Sequence, residues 1–136
     1  MKKINSFTAS LVILTTLLIT SCKKTESPAP STGTGASNNF VGNWYNSENS
    51  TVNGPATYNV AISAPNSSTI LFSFLYGFHT KISATFNGNS FTIPMQTIEG
   101  NNVSGSGVLA NTTQINMMYI VNSGTYIDTV SAVLTK

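Results

Sequence analysis

Between Phe40 and Lys136 the chain is broken at a steady interval by residues that favour turns. These are Asn53-Gly54-Pro55, Pro65-Asn66-Ser67-Ser68, Gly77, Asn87-Gly88-Asn89, Gly100-Asn101-Asn102, Asn111-Thr112 and Asn122-Ser123-Gly124. The interval is about 10 to 13 residues, the rhythm of consecutive β-hairpins in a barrel or sandwich. The stretches between are rich in β-branched and aromatic residues, and none carries a helical period. Seven breaks imply eight strands, near 40–47, 57–64, 69–76, 80–86, 91–98, 103–109, 114–121 and 126–135. The expected fold is all-β, an eight-stranded antiparallel up-and-down (meander) barrel, with a β-sandwich as the alternative.

Alternation within these strands picks an inward face. Tyr58, Val60 and Ile62 share one side of the second strand, Ile70, Phe72 and Phe74 of the third, and Ile82, Ala84 and Phe86 of the fourth. Across Asn87-Gly88 a register of Phe86 with Phe91, Ala84 with Ile93 and Ile82 with Met95 keeps the large apolar residues together. Pro94 cannot donate to a ladder, so the fifth strand should bulge or form an edge there. Gly105 and Gly107 thin the sixth strand, through strong bending or a close-packed aromatic from a neighbour, and bending is the expectation. The inward set Trp44, Tyr58, Phe72, Phe74, Phe86, Phe91, Tyr119 and Tyr126 should fill most of a barrel this small.

Upstream, Lys2 and Lys3 precede the apolar run Leu11 to Ile19, which is too short to span a bilayer permanently and has the layout of a secretory signal. It ends in Ile19-Thr20-Ser21-Cys22, which resembles the lipobox of bacterial lipoproteins. That resemblance implies cleavage after residue 21, a diacylglyceryl thioether on Cys22, and a palmitate-type lipid anchor. It also implies the cell envelope. Asp after the lipidated Cys marks inner-membrane retention in the common sorting pattern, and Lys23 stands there instead, so the outer membrane is expected, facing the periplasm or the surface. The domain plan is 1–21 signal peptide, 22–38 lipidated Cys and disordered tether, and 39–136 β-barrel. The tether, almost wholly Lys, Ser, Thr, Pro, Gly, Ala and Asn, has too little apolar surface to order itself and should reach about 20 to 25 Å.

Charge excludes one function class. Arginine is absent, and four of the six lysines (Lys2, Lys3, Lys23, Lys24) sit in the signal or beside the lipid site. The domain keeps Lys81 and Lys136 against Glu48, Glu99 and Asp128, which is no footprint for nucleic acid. With one cysteine, no disulfide can support the domain.

The first strand reads Phe40-Val41-Gly42-Asn43-Trp44-Tyr45, and this Gly-x-Trp resembles the opening motif of lipocalins. The resemblance implies a glycine that lets the chain curl and a tryptophan that closes one end of the barrel. The arginine that usually packs over that tryptophan has no counterpart here. The chain also resembles short lipocalin-like lipoproteins of Gram-negative bacteria, which implies fold and location but no chemistry.

No catalytic constellation, metal site or cofactor is read from the sequence. His79, the sole histidine, sits beside the Gly77 break without a second histidine or a cysteine to complete a zinc site or thiol dyad. Gly105-Ser106-Gly107 lies inside a strand rather than at a nucleophile elbow. Glu48, Glu99 and Asp128 show no spacing of facing glycosidase carboxyls.

One residue is out of place. If Val121 faces Tyr126, Tyr119 faces Asp128 and Met117 faces Val130, then Asp128 points inward, where a carboxylate needs hydrogen bonds from Tyr119 or a backbone N–H, or a place at an open end. It reads as a structural carboxylate or as a ligand contact. Met118, Ile120, Ile127 and Val133 on the outward side form a candidate docking patch. Candidate ligand or partner contacts are therefore Tyr119, Asp128, Met118, Ile120 and Ile127. Three function classes follow: an interaction module bound to an envelope or surface partner, a lipocalin-like carrier of a small apolar ligand, and an enzyme, the last disfavoured.

Overall fold

Eight strands with apolar residues at alternate positions can bury one face by closing on themselves, and they do so in a computed structural model that describes residues 37–136. After a short helix α1 (Ser37–Phe40) come β1 (Gly42–Ser50), β2 (Gly54–Ser63), β3 (Thr69–Ser73), β4 (Ile82–Asn87), β5 (Ser90–Ile98), β6 (Asn101–Asn111), β7 (Gln114–Asn122) and β8 (Ile127–Thr135). Each strand pairs antiparallel with the next, and β1 also pairs with β8, from Tyr45 opposite Thr135 to Ser50 opposite Val130, so the meander is a closed barrel. Closure removes every sheet edge, which a sandwich would not. The signal peptide, Cys22 and all but the last two residues of the tether lie outside the described residues.

Val60, Ile62, Ile70, Phe72, Ile82, Ala84, Phe91 and Ile93 are buried inside as the alternation predicts, with Tyr58 and Phe86 partly buried against them. The Phe86–Phe91 pairing holds. Three inward expectations are corrected. β3 stops at Ser73, and Phe74 turns outward in the left-handed region at φ 66°. Met95 is exposed because the register shifts between Ile93 and Gln96 around Pro94, which inverts the phase until Ile98 is buried again. Tyr126 is exposed because β7 and β8 pair two residues away from the expected register, Val121 opposite Asp128 and Tyr119 opposite Val130, which leaves Tyr126 in the turn ahead of β8 instead of in the strand. The glycines of β6 are explained by close approach rather than bending: a Cβ at Gly107 would strike the Phe91 ring and Met117 Cβ, and one at Gly105 the backbone of Met118 and Tyr119.

The two poles of the barrel are plugged differently. At the pole where β1 begins and β8 ends, the Trp44 indole N–H donates to Phe40 O at 2.7 Å, and Phe40 packs on Phe86 and Phe91. Lys136 lies over the tryptophan, its Nζ 4.3 Å from the Trp44 ring centroid and donating to Val41 O at 2.9 Å. Gly42 allows this, since its φ is 138° and a Cβ there would press Lys136 Cε at 3.2 Å. At the far pole the connection from β3 to β4 folds a 3-10 turn, Leu75–Gly77, over the opening and buries Leu75 and Phe78.

Candidate functional site

β1 alone turns a polar row into the barrel. Its buried positions are Trp44, Asn46, Glu48 and Ser50, so after the tryptophan every inward side chain of this strand is polar. Burying such groups is tolerable only with partners. Glu48 Oε2 accepts three hydrogen bonds, from Asn46 Nδ2 at 2.9 Å, Tyr58 OH at 2.6 Å and Tyr119 OH at 2.6 Å. The Tyr58 hydroxyl in turn accepts the Tyr76 backbone N–H at 2.7 Å.

Tyr76 links this carboxylate to a second one. It is held in the left-handed region at φ 57°, a conformation that costs about 1 to 3 kcal/mol and persists only where surroundings enforce it. Here its N–H is committed to Tyr58, while its hydroxyl donates to Asp128 Oδ2 at 2.7 Å and accepts from Asn53 Nδ2 at 2.8 Å. Asp128 also accepts from Ser50 Oγ, from Thr51 Oγ1 at 3.0 Å and from the Val52 N–H at 3.2 Å. The network therefore runs without interruption from Asn46 through Glu48, Tyr58, Tyr76 and Asp128 to the β1–β2 turn.

The electrostatics follow from burial and hydrogen bonding. Burial pushes the Tyr119 phenol pKa far up, and the neighbouring Tyr58 and Glu48 add to it. Tyr58 is raised by burial and then by its bond to Glu48, and Tyr76 by burial and then by its bond to Asp128. All three stay neutral donors at ordinary pH. Burial alone would raise the Asp128 pKa, but the bonds from Ser50, Tyr76, Thr51 and the Val52 N–H outweigh it and hold the carboxyl below its usual value. Both lysines of the described residues, Lys81 and Lys136, are exposed, so no cationic side chain enters the interior.

Of the residues singled out by sequence, Tyr119 and Asp128 are buried but do not touch: Tyr119 bonds Glu48, and Asp128 is held from β1 and Tyr76. Met118, Ile120 and Ile127 lie together on the outer face of the β7–β8 hairpin. Sequence reasoning missed Asn46, Glu48, Ser50, Tyr58 and Tyr76 as site members. The signal was present in part, since Asn46, Glu48 and Ser50 continue the phase of Trp44. His79 is exposed on the β3–β4 connection and does not join the network; its N–H and that of Thr80 donate to Glu99 Oε1, each at 2.8 Å. Among the described residues no group of three His, Cys, Asp or Glu side chains converges.

Fold and site together define a closed eight-stranded meander barrel with one acidic, tyrosine-clad wall in an otherwise apolar interior. No family model and no curated protein matches the chain. Among solved structures it is similar to a redesigned β-barrel, with a TM-score of 0.55 at 14% identity over 74% of this chain and 94% of that one. It is also similar to EF1p2_mFAP2b bound to DFHBI, with a TM-score of 0.54 at 13% identity over 74% of this chain and 96% of that one. At such identities the likeness is one of fold.

Proposed function

We propose that the chain is a membrane-anchored lipoprotein, held by lipid on Cys22 in the outer membrane, whose barrel is a non-enzymatic interaction module of the cell envelope. The observation that carries this reading is the outer face of the β7–β8 hairpin, where Met118, Ile120 and Ile127 are 55%, 41% and 63% exposed. Residues 101–135 contain a single charged side chain, Asp128, and it points inward, so the outer surface of β6 to β8 is free of charge. An uncharged, partly apolar face suits a protein partner in the envelope better than a nucleic acid. Ile120 and Ile127 lie toward the far pole, away from α1, where a tether from Cys22 enters. The carboxylates serve hydrogen bonding: both oxygens of Asp128 are filled by donors, which leaves it no lone pair aimed at a substrate.

Native mass spectrometry of the membrane-extracted protein tests the reading. The wild type should retain an envelope partner that Ile127→Lys loses, and Cys22→Ala should leave the membrane fraction while the barrel stays folded. Membrane association of Cys22→Ala after a salt wash would remove the anchor from the reading.

A second reading, a carrier of a small apolar ligand inside the barrel, is favoured by one observation: the fully buried Asn46 Oδ1 has no hydrogen-bond partner. The similar barrel solved with DFHBI bound lends it support.

A further inference from the structure

We propose that the Asn46–Glu48 corner of the interior binds a primary ammonium group, the head of a small alkylamine; the inference deepens the carrier reading and rests on it. Asn46 is fully buried, and with its Nδ2 given to Glu48 its Oδ1 faces no donor among the described residues. All three bonds to Glu48 fall on Oε2, so Oε1 likewise accepts none from the described residues. Asn46 and Glu48 are successive residues of the inward row of β1, about 7 Å apart at the backbone, and are joined through Nδ2 and Oε2. A buried neutral acceptor without a donor, as Asn46 Oδ1 is, costs about 1 to 3 kcal/mol, so this corner is stabilised by whatever brings an N–H group to it.

The surrounding charge selects the group. Glu48 and Asp128 both lie inside, and Lys81 and Lys136 both lie outside. Asp128 is satisfied on both oxygens, which leaves Glu48 as the carboxylate able to take a cation. A carboxylate head would be repelled, and a hydroxyl brings one donor for two acceptors. A primary ammonium brings three donors, no acceptor and a compact positive charge.

The test is calorimetric titration of the full chain with n-butylammonium chloride, beside sodium chloride and butyltrimethylammonium chloride, which has the same charge and no N–H. The expected result is saturable binding of butylammonium alone, weakened about tenfold or more in both Glu48→Gln and Asn46→Leu. Glu48→Gln keeps the size of the side chain and an oxygen for Tyr58 and Tyr119, so it decides the matter if Asn46→Leu fails to fold. An equal response to the quaternary salt, or unchanged binding by Glu48→Gln, overturns the proposal. So does a butylammonium-soaked crystal with only water between Asn46 Oδ1 and Glu48 Oε1. Retention of an uncharged apolar probe without any response to butylammonium also overturns it, while leaving the carrier reading in place.

Discussion

The Tyr119 hydroxyl donates to Glu48 Oε2 at 2.6 Å, tying β7 to a strand two places away around the barrel. It reaches past β8, which pairs with both strands. Tyr119→Phe removes one of three donors to a buried carboxylate and should lower stability by about 1.5 to 3 kcal/mol. Urea denaturation measures this, and in a Glu48→Gln background the same substitution should cost less. An equal cost in both backgrounds would mean that Tyr119 acts by packing alone.

Stability should fall at both ends of the pH scale, for opposite reasons. The folded Asp128 pKa lies below its ordinary 3.8, so the stability this group supplies is fully present above that value and is lost as pH drops through it toward the folded value. Tyr119, Tyr58 and Tyr76 lie above their ordinary 10.0, so the stability they supply is present below pH 10 and is lost as pH rises beyond it, where the unfolded chain gives up protons that the folded one keeps. Denaturation midpoints across pH check both limbs. Ultraviolet titration should show these three phenols ionising only as the barrel opens.

The two β6 glycines should differ in tolerance. At Gly107 an added methyl meets mainly the tip of the Phe91 ring, which can shift, and also Met117 Cβ, which moves only with its backbone, at about 1 to 3 kcal/mol. At Gly105 it meets backbone atoms of Met118 and Tyr119, which cannot shift without breaking the β6–β7 ladder. Gly105→Ala should therefore destabilise more than Gly107→Ala in thermal melts, and Phe91→Leu should soften the effect of Gly107→Ala alone.

The interior should reject fatty acids. Trp44, Tyr119, Phe40 and Phe72 are fully buried side chains, and the polar wall carries two carboxylates that repel a third. A fluorescent fatty-acid probe at micromolar concentration should not bind, and Phe72→Ala should cost about 3 to 5 kcal/mol as a core truncation. Saturable probe binding lost in Phe72→Ala, with stability little changed, would show that Phe72 lines a cavity.

Eight strands, their turns and most of the inward face were legible in the sequence, because hairpin turns and the two-residue period are local properties. Val60, Ile62, Ile70, Phe72, Ile82 and Ala84 sit where alternation puts them. Local signals fail where the backbone leaves the regular pattern. Phase alone extends Phe72 to Phe74, but the chain turns left-handed at Phe74 so that Leu75 can plug the pole. Beyond Ile93, Pro94 removes a ladder donor and the phase slips.

The sequence by itself determined a set of eight amphipathic strands with Asp128 facing in, since a two-residue shift of register preserves which side each residue faces; closure of β1 on β8 came only with the tertiary structure. Only the tertiary structure decided what meets Asp128. The shift places it opposite Val121 instead of Tyr119, within reach of Ser50, Thr51 and Tyr76, and leaves Tyr119 to Glu48. Asp128 and Ser50 are 78 residues apart in the chain, and no local pattern encodes which polar groups meet once the last strand closes on the first.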